Sequence, residues 1–425
     1  MTEQELDGLL RSLGVHPDCF ETEAMLAAVR AEMEDGLAGR AHGMLMLPTY
    51  LSAGGFVPKG EPLTVIDAGG TSLRTALARF DADGKLILDR FRTQPMPGTR
   101  DECSVSEFFD AIADAIQPLV GESTRIGFCF SYPFEALPDS EGRLIRFCKE
   151  IRVRDSRDIL ICDALRRALR RKGILAEKRI VLLNDSVAAL LGGLTVCPDG
   201  ASAQVGLILG TGLNLCYSER TDAVRTAGKT DLRTMIVNME AGSCRAFPAG
   251  TVDCLLDAGT ENPGDSRFEK MVSGGYLGRV MALTAQLCAE HGAFSAEGAA
   301  RLREISAFSL ADVGAFSDGA AMFGLSAPDA AVLRQIVRCC FARAAKLTLL
   351  MLGAVLLKTG CGRDPAQPVC VTAEGTTFRK AAYFRKRFFR GCDEFLRGKL
   401  GLHVRILECE NAVLAGTAVA GLQAR

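Results

Sequence analysis

At 425 residues the chain exceeds what a single hydrophobic core usually holds, so two lobes sharing a cleft are expected, and such clefts are where small ligands bind. Hydrophobic residues at 48% and charged residues at 24% fit a soluble globular protein and exclude a disordered or fibrous one. Lys and Arg number 50 against 51 Asp and Glu, which leaves no basic field for a nucleic-acid backbone or an anionic membrane, so a small-molecule partner is expected.

The chain opens with Thr2 and Glu5 spaced as a capping box, followed by Leu6, Leu9, Leu10 and Leu13 at helical intervals. No basic segment with an apolar core opens the sequence, and the 16 cysteines include no C-x-x-C pair with the histidines needed for zinc. Free thiols in a cytosolic chain are expected. After Ser52–Gly55, LTVIDAGGTSLRTALARF reads as a buried strand, a glycine turn and a second antiparallel strand. RIGFCFSYP and RIVLLNDS read as core strands separated by a basic helical stretch from Asp158 to Lys172. QVGLILGTGLNLCY repeats the strand–turn–strand device. Helical patterns run from Phe268 to Gly292 and from Asp329 to Lys358, then VCVTAEGTTF forms the final strand before a small-residue helix beyond Asn411. The apolar run Leu347–Leu357 falls short of the roughly 20 residues of a spanning helix and reads as a buried helix. Strands alternating with helices predict an α/β fold.

Four clusters carry chemistry. At the first turn, Gly69 and Gly70 let the backbone N–H groups approach phosphate oxygens, Asp67 could hold a hydrated Mg²⁺, and Arg74 could offset phosphate charge. A plain hairpin turn is the alternative. Gly210, Thr211 and Gly212, with Asn214 just beyond, form a second such turn, and neither turn matches the P-loop or dinucleotide pattern. Asn184 and Asp185 end an apolar strand. Asp185 is a candidate base for a hydroxyl nucleophile, the alternative being a helix N-cap. Glu240 after MIVN, Glu269 near a helix start at Arg267, and Lys149 are candidate hydroxyl partners or solvated surface charges.

Taken in order, MLPTYLS, IDAGGTSLR, GFCFSYP, LLNDSVAAL, LILGTGLNLCY, IVNMEAG, NPGDSRFEKMVSGGYLG and VTAEGTTFRK span nearly the whole chain and resemble the hexokinases, of the sugar kinase, actin and heat-shock chaperone superfamily. The resemblance implies a two-lobed actin-like ATPase fold, each lobe a mixed, ribonuclease H-like sheet with flanking helices. It implies a small lobe at 54–183 plus 410–425 and a large lobe at 1–53 plus 184–409. It further implies ATP as co-substrate with Mg²⁺ arriving on it and touching the protein mainly through water, Asp67 being the nearest side chain. Asp67, Gly69, Gly70, Thr71 and Arg74 would form the first phosphate motif and Gly210, Thr211 and Gly212 the second. Gly375, Thr376 and Arg379 would belong to the adenosine site. Ser131, Cys148, Lys149, Asn184, Asp185, Asn214, Glu240 and Glu269 would meet the hexose, with Asp185 as base and Lys149 beside it in the catalytic set. The implied activity is transfer of a phosphoryl group to the 6-hydroxyl of glucose or a related hexose. A non-catalytic hexose sensor is a second reading, and an actin-like ATPase without the sugar cluster a third. Cys148 stands where the family commonly has threonine, Ala241 where it has tryptophan and Glu374 where it has aspartate, departures that bear on sugar preference.

Overall fold

The computed structural model describes residues 1–147, 151–317, 319 and 323–423. Helices α1 (Glu3–Ser12) and α2 (Thr22–Leu37) and the short strand β1 (Leu47–Pro48) come first. A first α/β unit then runs through β2 (Leu63–Ala68), β3 (Ser72–Phe80), β4 (Leu86–Pro95), β5 (Cys103–Ser104), α3 (Val105–Ile116), β6 (Arg125–Phe130), β7 (Phe134–Ala136), β8 (Gly142–Leu144), β9 (Val153–Arg154), α4 (Ile161–Arg171) and β10 (Arg179–Leu183). Helix α5 (Asp185–Gly193) leads into the second unit. This comprises β11 (Ala203–Leu209), β12 (Leu213–Arg220), β13 (Thr234–Asn238), α6 (Thr251–Ala258), α7 (Arg267–Val272), α8 (Gly274–Glu290), α9 (Ala296–Arg303), α10 (Leu310–Ser317), α11 (Ala327–Thr359), β14 (Val369–Glu374), α12 (Thr376–Lys380), α13 (Ala382–Gly391) and β15 (Val404–Leu407), and α14 (Ala412–Gln423) returns to the first sheet.

The same topology occurs twice. In the first sheet, ordered β10-β6-β2-β3-β4, β2–β3–β4 is an antiparallel meander and β6 and β10 run parallel to β2. In the second, ordered β1-β13-β12-β11-β14-β15, β11–β12–β13 is the meander and β14 and β15 run parallel to β11. Strand β2 is buried along its whole length because it lies in mid-sheet, which is why it reads as an unbroken apolar run. Strand β15 was not expected, since the sequence reading ended its strands at VCVTAEGTTF. It is a four-residue edge strand with two partly exposed positions and one exposed one, too short and mixed to stand out.

The Thr2–Glu5 capping box is present, and Leu6 and Leu10 of α1 enter the core of the second unit. That core is centred on α11, of which Leu347–Leu357 is one part. The helix is 33 residues long and apolar enough to cross a membrane by length and composition, yet 83% of its most apolar window is buried inside the protein. In the first unit, Phe108, Phe109, Phe128 and Phe130 fill the space between the sheet and helices α3 and α4. The opposite face of that sheet packs Leu63, Val65 and Leu183 against α14 and α5.

Helices α5 and α14 join the two halves, and they meet very closely. A Cβ at Gly416 of α14 would fall 1.7 Å from the carbonyl oxygen of Ala188 in α5, and one at Gly206 of β11 would fall 2.2 Å from that of Ser186. Only hydrogen fits at either point, so α5 is clamped between the second sheet and α14 with its N-terminal residue, Asp185, at a defined place.

Candidate active site

The first hairpin joins β2 to β3. Asp67 and Arg74 are cross-strand partners, and Arg74 Nε donates at 2.6 Å to Oδ2 of the buried Asp67, while the Arg74 side chain remains partly exposed. Burial pushes the Asp67 carboxyl up, and Arg74 opposes the shift. The turn itself is tied by Gly69 N–H to Ser72 O at 3.1 Å and Met96 N–H to Thr71 O at 3.0 Å, while Tyr132 Oη donates to Gly69 O at 2.9 Å. Thr71 is exposed at the tip. Ser131, at the end of β6, lies alongside, its N–H bonded to Ala68 O.

The second hairpin joins β11 to β12. Gly210 N–H closes the turn on Gly212 O, leaving Thr211 exposed. The first N–H groups of α8 brace it from outside: Gly274 donates to Gly210 O at 2.8 Å and Gly275 to Thr211 O at 3.0 Å, which satisfies helix donors otherwise without partners. Thr377 Oγ1 adds a bond to Gly210 O at 2.9 Å. Gly375 follows β14 and packs on the same turn at φ 113°, and a Cβ there would lie 2.3 Å from Leu209 O. Thr376 is exposed beside it. Arg379 is paired with Glu374, whose carboxyl is pushed up by burial and drawn back by Arg379 and, more weakly, by Arg74 of the first hairpin. The charges of both hairpins therefore share one region.

Asn184 and Asp185 sit at the junction of β10 and α5. Asn184 is the N-cap, its Oδ1 accepting from Ser186 N–H at 3.0 Å. The cap role belongs to Asn184, and Asp185 is the first helical residue, where the helix N-terminus favours its negative charge. Asp185 also raises the Asp67 carboxyl by repulsion, which places it within electrostatic reach of the first hairpin.

From Asn184 a buried amide network runs to the second sheet. Asn214 Nδ2 donates to Asn184 Oδ1 at 3.2 Å and to Asn238 Oδ1 at 2.8 Å, while Asn214 Oδ1 accepts from Leu215 N–H and Ala241 N–H. Asn238 Nδ2 donates to Glu240 Oε1 at 2.8 Å. Glu269, at the start of α7, accepts from Leu213 N–H at 2.8 Å, one residue past the second turn. Asp185, Asn184, Asn214, Glu240 and Glu269 thus converge on the head of β12, and Ser131 flanks the first hairpin. Cys148 and Lys149 lie outside the described residues.

Four residues that the sequence reading passed over hold this arrangement. Asn238 and Ser186 complete the amide network. Tyr132 supports the first turn. Lys270, 4% exposed, directs its ammonium to Asp257, Thr260 Oγ1 at 2.9 Å and Asn262 O at 2.7 Å, pinning the loop that precedes Glu269. A polar residue ending an apolar strand, as Asn238 ends TMIVN, was a legible signal. Among the described residues all fifteen cysteines are free, and no group of three or more His, Cys, Asp or Glu could hold a metal ion.

Two matched α/β units, each led by a glycine hairpin and joined through α5 and α14, define the two-lobed actin-like ATPase fold. The hexokinase of Schistosoma mansoni, solved with glucose, superposes with a TM-score of 0.80 at 20% identity, over 99% of this chain and 100% of that one. A glucokinase of the ROK family from Streptomyces griseus, solved with glucose and AMPPNP, gives 0.53 at 18% identity over 85% and 100%. The chain belongs to the hexokinase family: two profiles described as Hexokinase match residues 13–194 and 204–423. Hexokinase-3 of rice (Oryza sativa subsp. japonica) is 30% identical over 437 residues, covering 92% of this chain and 85% of the rice protein. Human hexokinase-3 is 32% identical over 273 residues, or 61% of this chain, and the matched part spans only 28% of the human protein.

Proposed function

We propose that this chain is a cytosolic ATP-dependent hexokinase, transferring a phosphoryl group from ATP to the 6-hydroxyl of glucose or a closely related hexose. The observation that carries the reading is the placement of Asp185. It stands on a clamped helix N-terminus, near Asp67 of the first hairpin and joined through Asn184 and Asn214 to the head of the second. Family membership and the glucose-bound relative of the same fold support a hexose as acceptor.

The residues present fit a nucleoside triphosphate. Exposed Thr71, Thr211 and Thr376 offer hydroxyls at three neighbouring turns, and the glycine-rich backbone beside them offers N–H groups to phosphate oxygens. Arg74 and Arg379 supply positive charge, with Gly375 and Arg379 on the adenosine side. Asp67 would hold Mg²⁺ through water, and that ion would neutralise phosphate charge. Ser131, Asn184, Asn214, Glu240 and Glu269, with Lys149 and Cys148, hold the hexose. Asp185 accepts the proton of the 6-hydroxyl as the new P–O bond forms and ADP leaves with the electrons of the broken bond. The lobes, 54–183 with 410–425 and the remainder, close about α5 and α14 and exclude water from the phosphoryl group.

Asp185→Ala tests this. Glucose phosphorylation should fall about 10²- to 10⁴-fold while ATP affinity stays within about twofold. Turnover equal to that of the unaltered protein would remove Asp185 as base.

A further inference from the structure

One buried amide among the site residues is included in no sugar-contact assignment. Asn238 ends β13, is 3% exposed, and lies opposite Cys216 of β12 and Leu47 of β1. Its Oδ1 accepts from Asn214 Nδ2 at 2.8 Å, with Ser186 Oγ at 3.4 Å, and its Nδ2 donates to Glu240 Oε1 at 2.8 Å. An amide has one accepting end and one donating end. With Asn214 on the oxygen, only N–H is left to face Glu240.

Glu240 needs such a hold, because its backbone is in the left-handed region at φ 52°, where a residue with a side chain persists only when its surroundings fix it. Met239 between them is anchored to the sheet through Met239 N–H to Leu215 O and Met46 N–H to Met239 O, so the two side chains reach each other across one fixed residue. We infer that Asn238 is a positioning residue for hexose recognition: without touching the sugar, it sets the direction of both the Glu240 carboxylate and the Asn214 amide. The inference rests on the hexose-kinase reading above and adds a residue on which sugar affinity, but not nucleotide affinity, depends.

Asn238→Asp is the discriminating change. It keeps the size and the oxygen that Asn214 uses, and replaces the donor facing Glu240 with a second carboxylate oxygen. A hydrogen bond to a charged group that becomes a like-charge contact corresponds to a rise in glucose KM of about tenfold or more, with the KM for ATP unchanged within about twofold. In the double variant Asn238→Asp/Glu240→Gln the new carboxylate accepts from the new amide. Its glucose KM should therefore be no worse than that of Glu240→Gln alone. Asn238→Ser, which shortens the side chain without adding charge, guards against a folding defect and should raise glucose KM in the same selective way. Steady-state kinetics with glucose and ATP, alongside thermal melting of each variant, decide the matter. A glucose KM within about twofold of the unaltered protein in a folded Asn238→Asp or Asn238→Ser variant, equal rises for glucose and ATP, or purely multiplicative effects in the double variant would each overturn the positioning role. If the unaltered protein phosphorylates no hexose, the functional reading falls and this role falls with it; if it is active and only the variants disagree, this role alone falls.

Discussion

The first hairpin adds a charge pair to its backbone bonds, whereas the second is held mainly by backbone. Asp67 and Arg74 pair across β2 and β3, and Tyr132 reaches Gly69 O, so charge and one hydroxyl add to the backbone bonds from Gly69 N–H to Ser72 O and from Met96 N–H to Thr71 O. The second turn is gripped by Gly274 N–H, Gly275 N–H and the Gly375 backbone stacked on Leu209 O, with side-chain bonds from Thr377 Oγ1 to Gly210 O and from Leu213 N–H to Glu269. Two copies of one topological device have thus been fixed by different physics. The first can be tuned by pH and by the charge of whatever binds; the second is most sensitive to atoms added where none fit.

The largest effect should come from Gly375→Ala. A Cβ there meets Leu209 O at 2.3 Å on a backbone that residues with side chains rarely adopt, so a loss of about 3 kcal/mol in chemical denaturation is expected. An intermediate effect should come from Asp67→Asn. The folded-state carboxyl of Asp67 titrates above its ordinary 3.8, so the stability tied to it is full below that pH and declines as pH rises through the raised value. The variant lacks this decline. As pH rises from 3.8 the unaltered protein should lose stability relative to Asp67→Asn, read as diverging urea midpoints, and parallel midpoints would contradict the burial argument. The smallest effect should come from Gly69→Ala, whose Cβ would meet nothing nearer than Ser72 O at 3.2 Å. A change below about 1 kcal/mol is expected, and a cost equal to that of Gly375→Ala would erase the distinction between the hairpins.

Much of this was readable in advance because it is local. IDAGGTSLR and LILGTGLNLCY are apolar strands interrupted by glycines, and strand period and turn chemistry act over a few residues. Polar residues at the ends of apolar runs stand out among the candidate site residues, while Ser131, Cys148, Gly375, Thr376 and Arg379 come from the family resemblance. That rule reaches Asn184 and Asp185, and it would equally have reached Asn238. It could not tell which of the two is the cap, because Asn184 and Asp185 both accept from the Ser186 N–H, and only the backbone, extended at Asn184 and helical from Asp185, makes Asn184 the cap.

By itself the sequence determined the repeated strand–turn–strand units, the cap of α1, the apolar core helices and the family, since each depends on side-chain type at short spacing. Only the tertiary structure decided that Arg74 pairs with Asp67 within electrostatic reach of Glu374, that Lys270 secures the loop before Glu269, and that Asn238 joins Asn214 to Glu240. Those pairings depend on which side chains share a face after folding, whatever their spacing in the chain. Their geometry comes from close packing of α5 against α14 and of α8 against the second hairpin, where a single carbon atom more would not fit.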